Sequence, residues 1–476
     1  MSGQPPSDPA LLAATELLRL YRAGSLSPVE AAKAALARIE RHGGAVNAWV
    51  HLDPEGALAA ARVSEARWQA GAPMGLLDGV PVGVKDNILV AGMPARFGSR
   101  LTPAGPREAD APAVARLREA GAVLLGKTTM PEYGWKATSD GPLTGTTLNP
   151  WDTRMTTGGS SAGAVAATAL GMGAMHIGTD GGGSIRIPAA FAGCFGIKPT
   201  RARVPAYPAA PLGTLAHIGP ITRTVADAAL ALTVIAASDA RDVHAWTAPA
   251  PDYRAGLDDG VRGLRIAYSP RLGYVPRVHS EVEAAIAAGA RTFESLGAIV
   301  EEADPDIGGD PIAVWDTFWW PSMLFQLEAL GGRWREEADP GLTAAIDASR
   351  PVSATDLLRA QLKRADLHNA FVRFHQTYDL LLTPALPLPA FEAGALVPPS
   401  GEWGSAWTDW APFSYPFNLT TQPAASVPCG LTASGLPIGL QIVGPIGADA
   451  LVLRAARAFE AARPFPTLEA PRTGHA

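Results

Sequence analysis

Short apolar runs alternate with helical patterns along most of the chain. Six apolar runs predict buried strands: Val80–Val84, Ala122–Leu125, Ala174–Ile177, Leu264–Tyr268, Leu380–Leu382 and Ile438–Val443. Stretches with apolar residues at helical spacing lie around and between them, at 109–120, 223–237, 280–296, 353–377 and 448–463. This alternation predicts an α/β fold with one large sheet that is mostly parallel or mixed.

The first part of the chain has a helical pattern instead. Within residues 9–70, Ser27-Pro28-Val29-Glu30 has the order of a helix start, with a capping serine, a proline at the first position and a glutamate at the third. We therefore expect residues 1–70 to form a helical segment packed on the core. Residues 71–476 are expected to form one domain, because no low-complexity linker or repeat divides them.

Composition narrows the class of partner. Hydrophobic residues make up 47% of the 476 positions and charged residues 18%, which is enough apolar material for a large core. The net charge of -6 comes without any basic block, which argues against a nucleic-acid partner and favours a small molecule. Cys194 and Cys429 have neither metal nor redox spacing, so we expect a reducing compartment, the cytoplasm.

No segment predicts a membrane anchor or a leader. Met1–Ala10 lacks the positive cluster and apolar run of a signal peptide. The longest stretch of low polarity, residues 162–177, is short for a membrane span and is rich in Ala and Gly. We expect it to be a buried helix packed closely against its neighbours.

Two glycine loops, each with a serine, are the strongest chemical signal. The first is Thr157–Gly163, with Ser160, and the second is Gly178–Arg186, with Ser184. Glycine lets backbone N–H groups approach a ligand closely, and successive N–H groups can hold an anion. A serine in such a loop can attack a carbonyl carbon while the amides stabilise the oxyanion that forms. We expect Gly181–Gly183 to supply those amides.

A serine hydroxyl needs a base, and neither loop contains a histidine. Lys85 follows the apolar residues Val82-Gly83-Val84, and burial there would favour the neutral amine that can accept a proton. Ser160 could pass the proton between Lys85 and Ser184, a variant of the serine triad. His217 is the alternative base, and it is disfavoured because Lys85 already supplies one.

Long motifs in a fixed order give the chain a family resemblance. They are Gly79–Asn87, Asn149–Thr200, Ile218–Thr224, Pro416–Thr420, Pro423–Ala424 and Gly435–Gln441. Together they resemble the amidase signature family over roughly residues 75–460. The resemblance implies a twisted mixed sheet covered by helices on both faces. It also implies a Ser–cisSer–Lys triad, with Ser184 as nucleophile, Ser160 as the bridging serine after a cis peptide bond, and Lys85 as general base.

The chain departs from the family pattern at three positions. Gly181 replaces a threonine of many members, and Ala162 replaces a common glycine. Many members also have a proline before the glycine equivalent to Gly159, where this chain has Thr157-Gly158. None of these changes removes a catalytic side chain. We interpret Asp180 and Arg186 as supporting residues that brace the nucleophile loop, and Glu132 as a structural carboxylate near the site.

Tryptophan is concentrated between about residues 310 and 410, in a region that we interpret as a substrate pocket. The alternative is a satellite core beneath a long loop. The candidate pocket residues are Tyr133, Trp135, Trp319, Trp320, Trp407 and Trp410.

These observations predict an amidase that hydrolyses a non-peptide C–N bond in an aryl or alkyl amide, an anilide or a carbamate (urethane). The resemblance implies no metal and no organic cofactor, and the predicted partner is a small molecule, with a homodimer as a further expectation. One alternative is the glutaminase-type subunit of a tRNA-dependent amidotransferase, which resembles the same family. Another is a catalytically silent binding scaffold, which the intact Ser184, Ser160 and Lys85 disfavour.

Overall fold

An eleven-stranded sheet runs through the computed structural model, which describes residues 8–473. The strands are β1 Trp49–Leu52, β2 Pro81–Lys85, β3 Val123–Thr128, β4 Asp140–Gly141, β5 Gly145–Thr146, β6 Leu148–Asn149, β7 Asp152–Thr156, β8 Met175–Asp180, β9 Phe195–Lys198, β10 His217–Thr222, β11 Arg265–Tyr268, β12 Ile299–Glu302, β13 Leu380–Pro384, β14 Ala424–Leu431 and β15 Pro437–Val443. Their order in the large sheet is β1-β3-β2-β8-β10-β9-β14-β15-β13-β11-β12. The pairs β4–β5 and β6–β7 form two small separate ribbons.

The sheet is mixed, as the pattern and the family resemblance predict. Strand β2 pairs in parallel with β3 and β8, and β11 pairs in parallel with β12 and β13. The remaining neighbours, such as β8 and β10, are antiparallel. Strands β2, β3, β10, β13 and β15 are buried at every residue, so both faces of the central sheet are covered.

Helices flank this sheet. They are α1 Ala14–Arg22, α2 Pro28–Val46, α3 Pro54–Gln69, α4 Pro112–Glu119, α5 Ala162–Ala169, α6 Arg186–Ala192, α7 Val225–Ile235, α8 Ser280–Ser295, α9 Ile312–Glu328, α10 Trp334–Glu337, α11 Pro340–Ala348, α12 Ala354–Phe374, α13 Pro416–Leu419 and α14 Asp449–Ala462. Helices α4, α7, α8, α12 and α14 fall within two or three residues of the predicted stretches. The predicted α/β fold, a single large mixed sheet with flanking helices, is confirmed.

The N-terminal segment contributes a strand as well as helices. Helix α2 begins with the predicted capping box, in which Ser27 Oγ accepts from the N–H of Glu30 at 3.2 Å and the Glu30 carboxylate accepts from the N–H of Ser27 at 2.7 Å. After α2 the chain forms β1, which pairs antiparallel with β3 at the edge of the sheet. The segment predicted as helical is therefore joined to the sheet by backbone hydrogen bonds.

The low-polarity stretch at residues 162–177 is not the single helix that its composition predicts. Helix α5 ends at Ala169, and β8 begins at Met175 after a turn. The close packing is present: a Cβ on Gly163 would lie 2.2 Å from the carbonyl oxygen of Ala48. Among residues 8–473, no helix is both long enough and apolar enough to cross a membrane.

Candidate active site

Lys85 is the last residue of β2, an interior strand of the sheet, and its side chain is completely buried. Its Nζ lies 2.7 Å from Oγ of Ser160, 3.0 Å from Oγ of Ser161 and 2.9 Å from Oγ1 of Thr179. Burial lowers the pKa of Lys85 to about 7, although two nearby carboxylates oppose the shift. A large fraction of Lys85 is therefore neutral near neutral pH and able to accept a proton.

Ser160 lies in the loop between β7 and α5. The peptide bond between Gly159 and Ser160 is cis, and Gly158 has a φ of 74°. A Cβ on Gly159 would lie 2.2 Å from the carbonyl oxygen of Thr138, so only glycine fits there. The glycines of this loop thus allow the close backbone approach that places Ser160 beside Lys85.

Ser184 lies in the second loop, between β8 and α6. The two loops are joined by a hydrogen bond from the N–H of Ser161 to the carbonyl oxygen of Ser184, at 3.0 Å. Both candidate serines are nearly enclosed, with Ser160 3% and Ser184 8% exposed. Within the described part of the chain, the side chain of Ser184 makes no hydrogen bond to that of Ser160. The structure therefore brings Lys85 and Ser160 into direct contact and places the loop of Ser184 beside them.

Asp180, at the end of β8, braces the Ser184 loop from inside. Its carboxylate accepts from the N–H groups of Gly183 at 2.8 Å and Ile185 at 3.2 Å. It also forms a bidentate pair with Arg186, from Nε at 3.0 Å and from Nη2 at 2.9 Å. Burial alone would raise the pKa of the Asp180 carboxyl, but the guanidinium outweighs it and holds this pKa well below its usual range.

Arg186 is the first residue of α6 and is itself fully buried. Its remaining N–H groups donate to the carbonyl oxygen of Ser414 at 2.9 Å, to Oε1 of Gln441 at 2.8 Å and to Oδ1 of Asn418 at 2.7 Å. The charged pair beneath the loop is therefore fully supplied with partners. These contacts are what the supporting role expected of Asp180 and Arg186 requires.

The three glycine amides differ in availability. The N–H of Gly183 donates to Asp180, so it is occupied, contrary to the expectation that it faces an oxyanion. The N–H groups of Gly181 and Gly182 donate to no acceptor among residues 8–473. Two of the three predicted donors are thus free to bind a substrate oxygen.

His217, the alternative base, has its own partners. Its Nδ1 lies 2.8 Å from the carbonyl oxygen of Leu215, and Nε2 has no partner in the described chain. Burial first, and then the nearby ammonium of Lys198, push the pKa of His217 well below its ordinary value. No hydrogen bond links His217 to Ser160 or Ser184 within residues 8–473, so the geometry favours Lys85.

Three buried tryptophans cover the Ser184 loop. Trp315 and Trp319 lie on the buried face of α9 and stack with ring centroids 4.3 Å apart, and Trp407 meets Trp315 edge-on at 5.3 Å. A Cβ on Gly181 would lie 3.1 Å from Trp319, and one on Gly182 would lie 2.9 Å from Trp315. The absence of a side chain at residue 181 leaves the room that Trp319 fills.

A cavity of about 900 Å³ adjoins this cluster. Of the predicted pocket residues, Trp135, Trp320 and Trp407 line it. Asp316 also lines it, and burial raises the pKa of this carboxyl to about 6. Lys85, Ser160 and Ser184 are not among the lining residues. Trp407 connects the two sites, because it lines the cavity and lies against the Ser184 loop at Gly182.

Three predicted pocket residues are absent from the cavity wall, and one of them, Trp319, lies against the Ser184 loop at Gly181 instead. Trp410 is fully buried, stacks on Phe191 with centroids 6.0 Å apart and meets Phe391 edge-on, so it belongs to the core. Tyr133 stacks on Phe97 and is absent from the cavity wall. The tryptophan-rich region is therefore part core and part cavity, a combination that neither alternative describes alone. Glu132 is buried and accepts a hydrogen bond from Ser99, in keeping with a structural carboxylate.

Sequence reasoning missed several contacts of the site. Thr179 and Ser161 both bind Lys85 Nζ, and Asn87 donates to Oγ1 of Thr179 at 3.1 Å. Ser414 Oγ donates to the carbonyl oxygen of Gly182 at 2.6 Å from a distant part of the chain. Thr179, Ser161 and Asn87 lie within the family motifs, a signal that could have found them, whereas Ser414 lies outside every motif.

The comparisons with known proteins agree with one another. The sequence matches the family model described as Amidase over residues 30–453. Acylamidase from Rhodococcus erythropolis is 38% identical over 461 residues, covering 95% of this chain and 96% of that protein. Among solved structures, a bacterial aryl acylamidase belonging to the amidase signature enzymes has a TM-score of 0.88 and 32% identity, covering 95% of this chain and 96% of that one.

A second kind of relative is nearly as similar. One subunit of the glutamyl-tRNA(Gln) amidotransferase from Myxococcus xanthus is 37% identical over 486 residues. The match covers 96% of this chain and 98% of that protein. Overall identity therefore separates the two kinds of relative poorly, and the side chains of the site must distinguish them.

Proposed function

This chain belongs to the amidase signature family, and from that premise we propose that it hydrolyses small-molecule amides with a bulky apolar group through an acyl-enzyme on Ser184. Membership, together with the acylamidase relatives, makes it a hydrolase of carbon–nitrogen bonds other than peptide bonds. The observation that most supports the serine mechanism is the buried contact of 2.7 Å between Lys85 Nζ and Ser160 Oγ.

In the first half of the reaction, Ser184 Oγ attacks the carbonyl carbon of the amide. Its proton passes to Ser160, and Ser160 gives its own proton to the neutral amine of Lys85. The carbonyl oxygen becomes an oxyanion, which the free N–H groups of Gly181 and Gly182 stabilise. The C–N bond then breaks, and the leaving amine takes a proton back from Lys85 through Ser160.

In the second half, water attacks the ester carbon of the acyl-enzyme. Lys85 again accepts the proton through Ser160, the oxyanion forms at the same amides, and the bond to Ser184 Oγ breaks. Ser184 recovers its proton and the acid leaves. Each half-reaction returns Lys85 to its neutral form: the proton of Ser184 leaves with the amine in the first half, and a proton from water restores Ser184 in the second.

The cavity supports a bulky substrate. Its wall includes the indoles of Trp135, Trp320 and Trp407, which offer flat apolar surface. Residues of its wall lie next to both loops: Trp407 lies against Gly182, and Trp135 follows Gly134, where a Cβ would lie 2.8 Å from Oγ of Ser160. Anilides, aryl amides and aryl carbamates (urethanes) are the classes that fit such a wall.

The amidotransferase component is the second candidate, since the Myxococcus xanthus relative is 37% identical. Its substrate would be the small polar side-chain amide of glutamine. Three indoles in the cavity wall favour a larger apolar group instead. Hydrolysis of anilides by the purified chain alone would favour the amidase, whereas turnover of glutamine only with a partner would favour the amidotransferase component.

The test is a covalent label. The purified chain is incubated with an alkyl fluorophosphonate, and its intact mass is recorded beside Ser184→Ala. We expect one adduct on the wild type and none on the variant. Ser426→Ala is the matched control, because the Ser426 hydroxyl is buried without a partner in the described chain and its loss should leave labelling intact.

A panel of p-nitroanilides, aliphatic amides, carbamates and glutamine then defines the class. No adduct on folded wild-type protein, and no turnover of any member, would point to the silent scaffold and overturn the proposal. The cytoplasmic location and the homodimer stay predictions. So does the division into residues 1–70 and 71–476.

A further inference from the structure

Trp315 is bonded directly to the backbone of the nucleophile loop. Its indole Nε1 donates to the carbonyl oxygen of Gly181 at 3.2 Å, and its ring is fully buried between Trp319 and Trp407. Because water has no access to the ring, nothing else competes for that carbonyl from this side. The bond therefore acts on the peptide unit that joins Gly181 to Gly182.

That peptide unit contains a candidate oxyanion donor. A trans peptide is rigid and planar, and its C=O and N–H point in opposite directions. A donor that holds the carbonyl oxygen of Gly181 consequently sets the direction of the N–H of Gly182. This N–H is one of the two glycine amides without an acceptor among residues 8–473.

The next peptide unit is held at both ends. The carbonyl oxygen of Gly182 accepts from Ser414 Oγ at 2.6 Å, and the N–H of Gly183 donates to Asp180 at 2.8 Å. Glycine rotates more freely than other residues, so the loop needs such contacts to keep one conformation. Between the two held peptides, the N–H of Gly182 is the group left for a ligand.

We propose that Trp315 is a positioning residue for the oxyanion site: its indole N–H fixes the Gly181–Gly182 peptide so that the Gly182 N–H points at the substrate carbonyl oxygen. This inference rests on the proposed acyl-enzyme mechanism at Ser184. The contribution belongs to the transition state, because the substrate oxygen becomes an anion only there. Loss of the indole N–H should lower kcat and leave KM almost unchanged.

The tryptophan stack contains its own control. Trp319 is buried in the same stack, but its Nε1 has no acceptor in the described chain. Trp315→Phe and Trp319→Phe remove the same atoms from neighbouring rings, yet only the first removes a hydrogen bond to the loop. A difference between the two variants therefore reports the hydrogen bond, and packing loss is common to both.

The experiment measures kcat and KM on a p-nitroanilide for both variants, together with inhibition by an aryl boronic acid, whose tetrahedral adduct places an oxygen anion in the site. For Trp315→Phe we expect kcat to fall about 10-fold or more, below the ~100- to 1,000-fold typical of deleting an oxyanion donor outright. Inhibition by the boronic acid should weaken by a similar factor. For Trp319→Phe, which loses only packing against the loop, the falls in kcat and in boronic acid inhibition should be several-fold smaller than for Trp315→Phe.

Equal effects of the two variants would overturn the inference, as would a rise in KM alone for Trp315→Phe. If Trp315→Phe fails to fold, Trp315→3-benzothienylalanine keeps the ring shape, lacks the N–H and is measured in its place. Failure of the mechanism itself looks different: wild-type protein would then take no fluorophosphonate at Ser184. If the wild type is labelled at Ser184 but the two tryptophan variants have the same kcat, the mechanism stands and only the role of Trp315 is refuted.

Discussion

The pH dependence of turnover tests the assignment of Lys85 most directly. The base must be neutral to accept a proton, and burial lowers the pKa of Lys85 to about 7. Protonation below that value therefore removes the base, whereas raising the pH above it changes nothing further. Activity should rise with pH through about 7 and then level off.

The size of the effect follows from the titration of one group. One pH unit below the pKa, about a tenth of the lysine is neutral, and two units below, about a hundredth. The logarithm of kcat/KM should thus climb with a slope of about one up to pH ~7 and become flat by pH ~8. If the lysine had its ordinary pKa, kcat/KM would instead keep rising into the alkaline range.

The assay is kcat/KM for a p-nitroanilide from about pH 5.5 to about pH 9 at constant ionic strength, which reports groups of the free enzyme. Asp316 lines the cavity, and burial raises its pKa to about 6, so it also titrates in this range. Asp316→Asn is the control: it removes that titration and should leave the limb near pH 7 in place.

Three results would refute this reasoning. A profile that is flat between about pH 6 and about pH 8, or one that falls toward alkaline pH, would show that no neutral lysine with a pKa of about 7 is required. A limb that disappears in Asp316→Asn would assign the titration to the cavity carboxyl instead of Lys85.

Two further substitutions probe the nucleophile loop and the pair beneath it. In Gly183→Ala, a Cβ would lie 2.6 Å from Ile187 at a φ of 120°. Fluorophosphonate labelling should therefore be lost, and the free energy of unfolding should fall by about 1–3 kcal/mol. A normal labelling rate would contradict this. Arg186→Met leaves Asp180 buried and unpaired, which should lower the free energy of unfolding by about 3–5 kcal/mol in urea titrations. Arg19→Met, which breaks an exposed pair, should change it far less, and equal losses would refute the argument.

Burial decided which strands the sequence could predict. Strands such as β2 and β13 are buried on both faces and therefore read as apolar runs. Strands β9, β10 and β14 were missed because Gly, Pro or Lys interrupts their apolar residues. Only cross-strand hydrogen bonds identify them, and these are long-range contacts that a single sequence does not display.

Helix α9 was missed for a different reason. Its apolar residues occur on every side, so no polar face contrasts with a buried one, and Pro321 interrupts the pattern. Its buried tryptophans Trp315 and Trp319 cover the nucleophile loop. The element that shapes the oxyanion site was thus among the least visible in the sequence.

In the site, motifs identified side chains but not the direction of backbone groups. Lys85 and Ser160 were predicted as partners and lie in contact. Gly183 was predicted as an oxyanion donor, but its N–H turns back to Asp180, a geometry that residue order does not reveal. Trp410 was assigned to the pocket by proximity in sequence, whereas it packs in the core.

The pairing of β2 with β8 also has a consequence for how the protein acquires activity. Val84 pairs with Ile177 in a parallel register, so the strand that ends in Lys85 meets the strand that leads to Ser184 only after a long crossover has closed. Such distant pairings are slow to form, because the entropy of closing the loop must be overcome first. A partly folded chain whose helices have formed, but in which β2 has not yet paired with β8, would have no enzyme activity. Regain of turnover during refolding would consequently follow the pairing of β2 with β8, while helix signals would recover earlier.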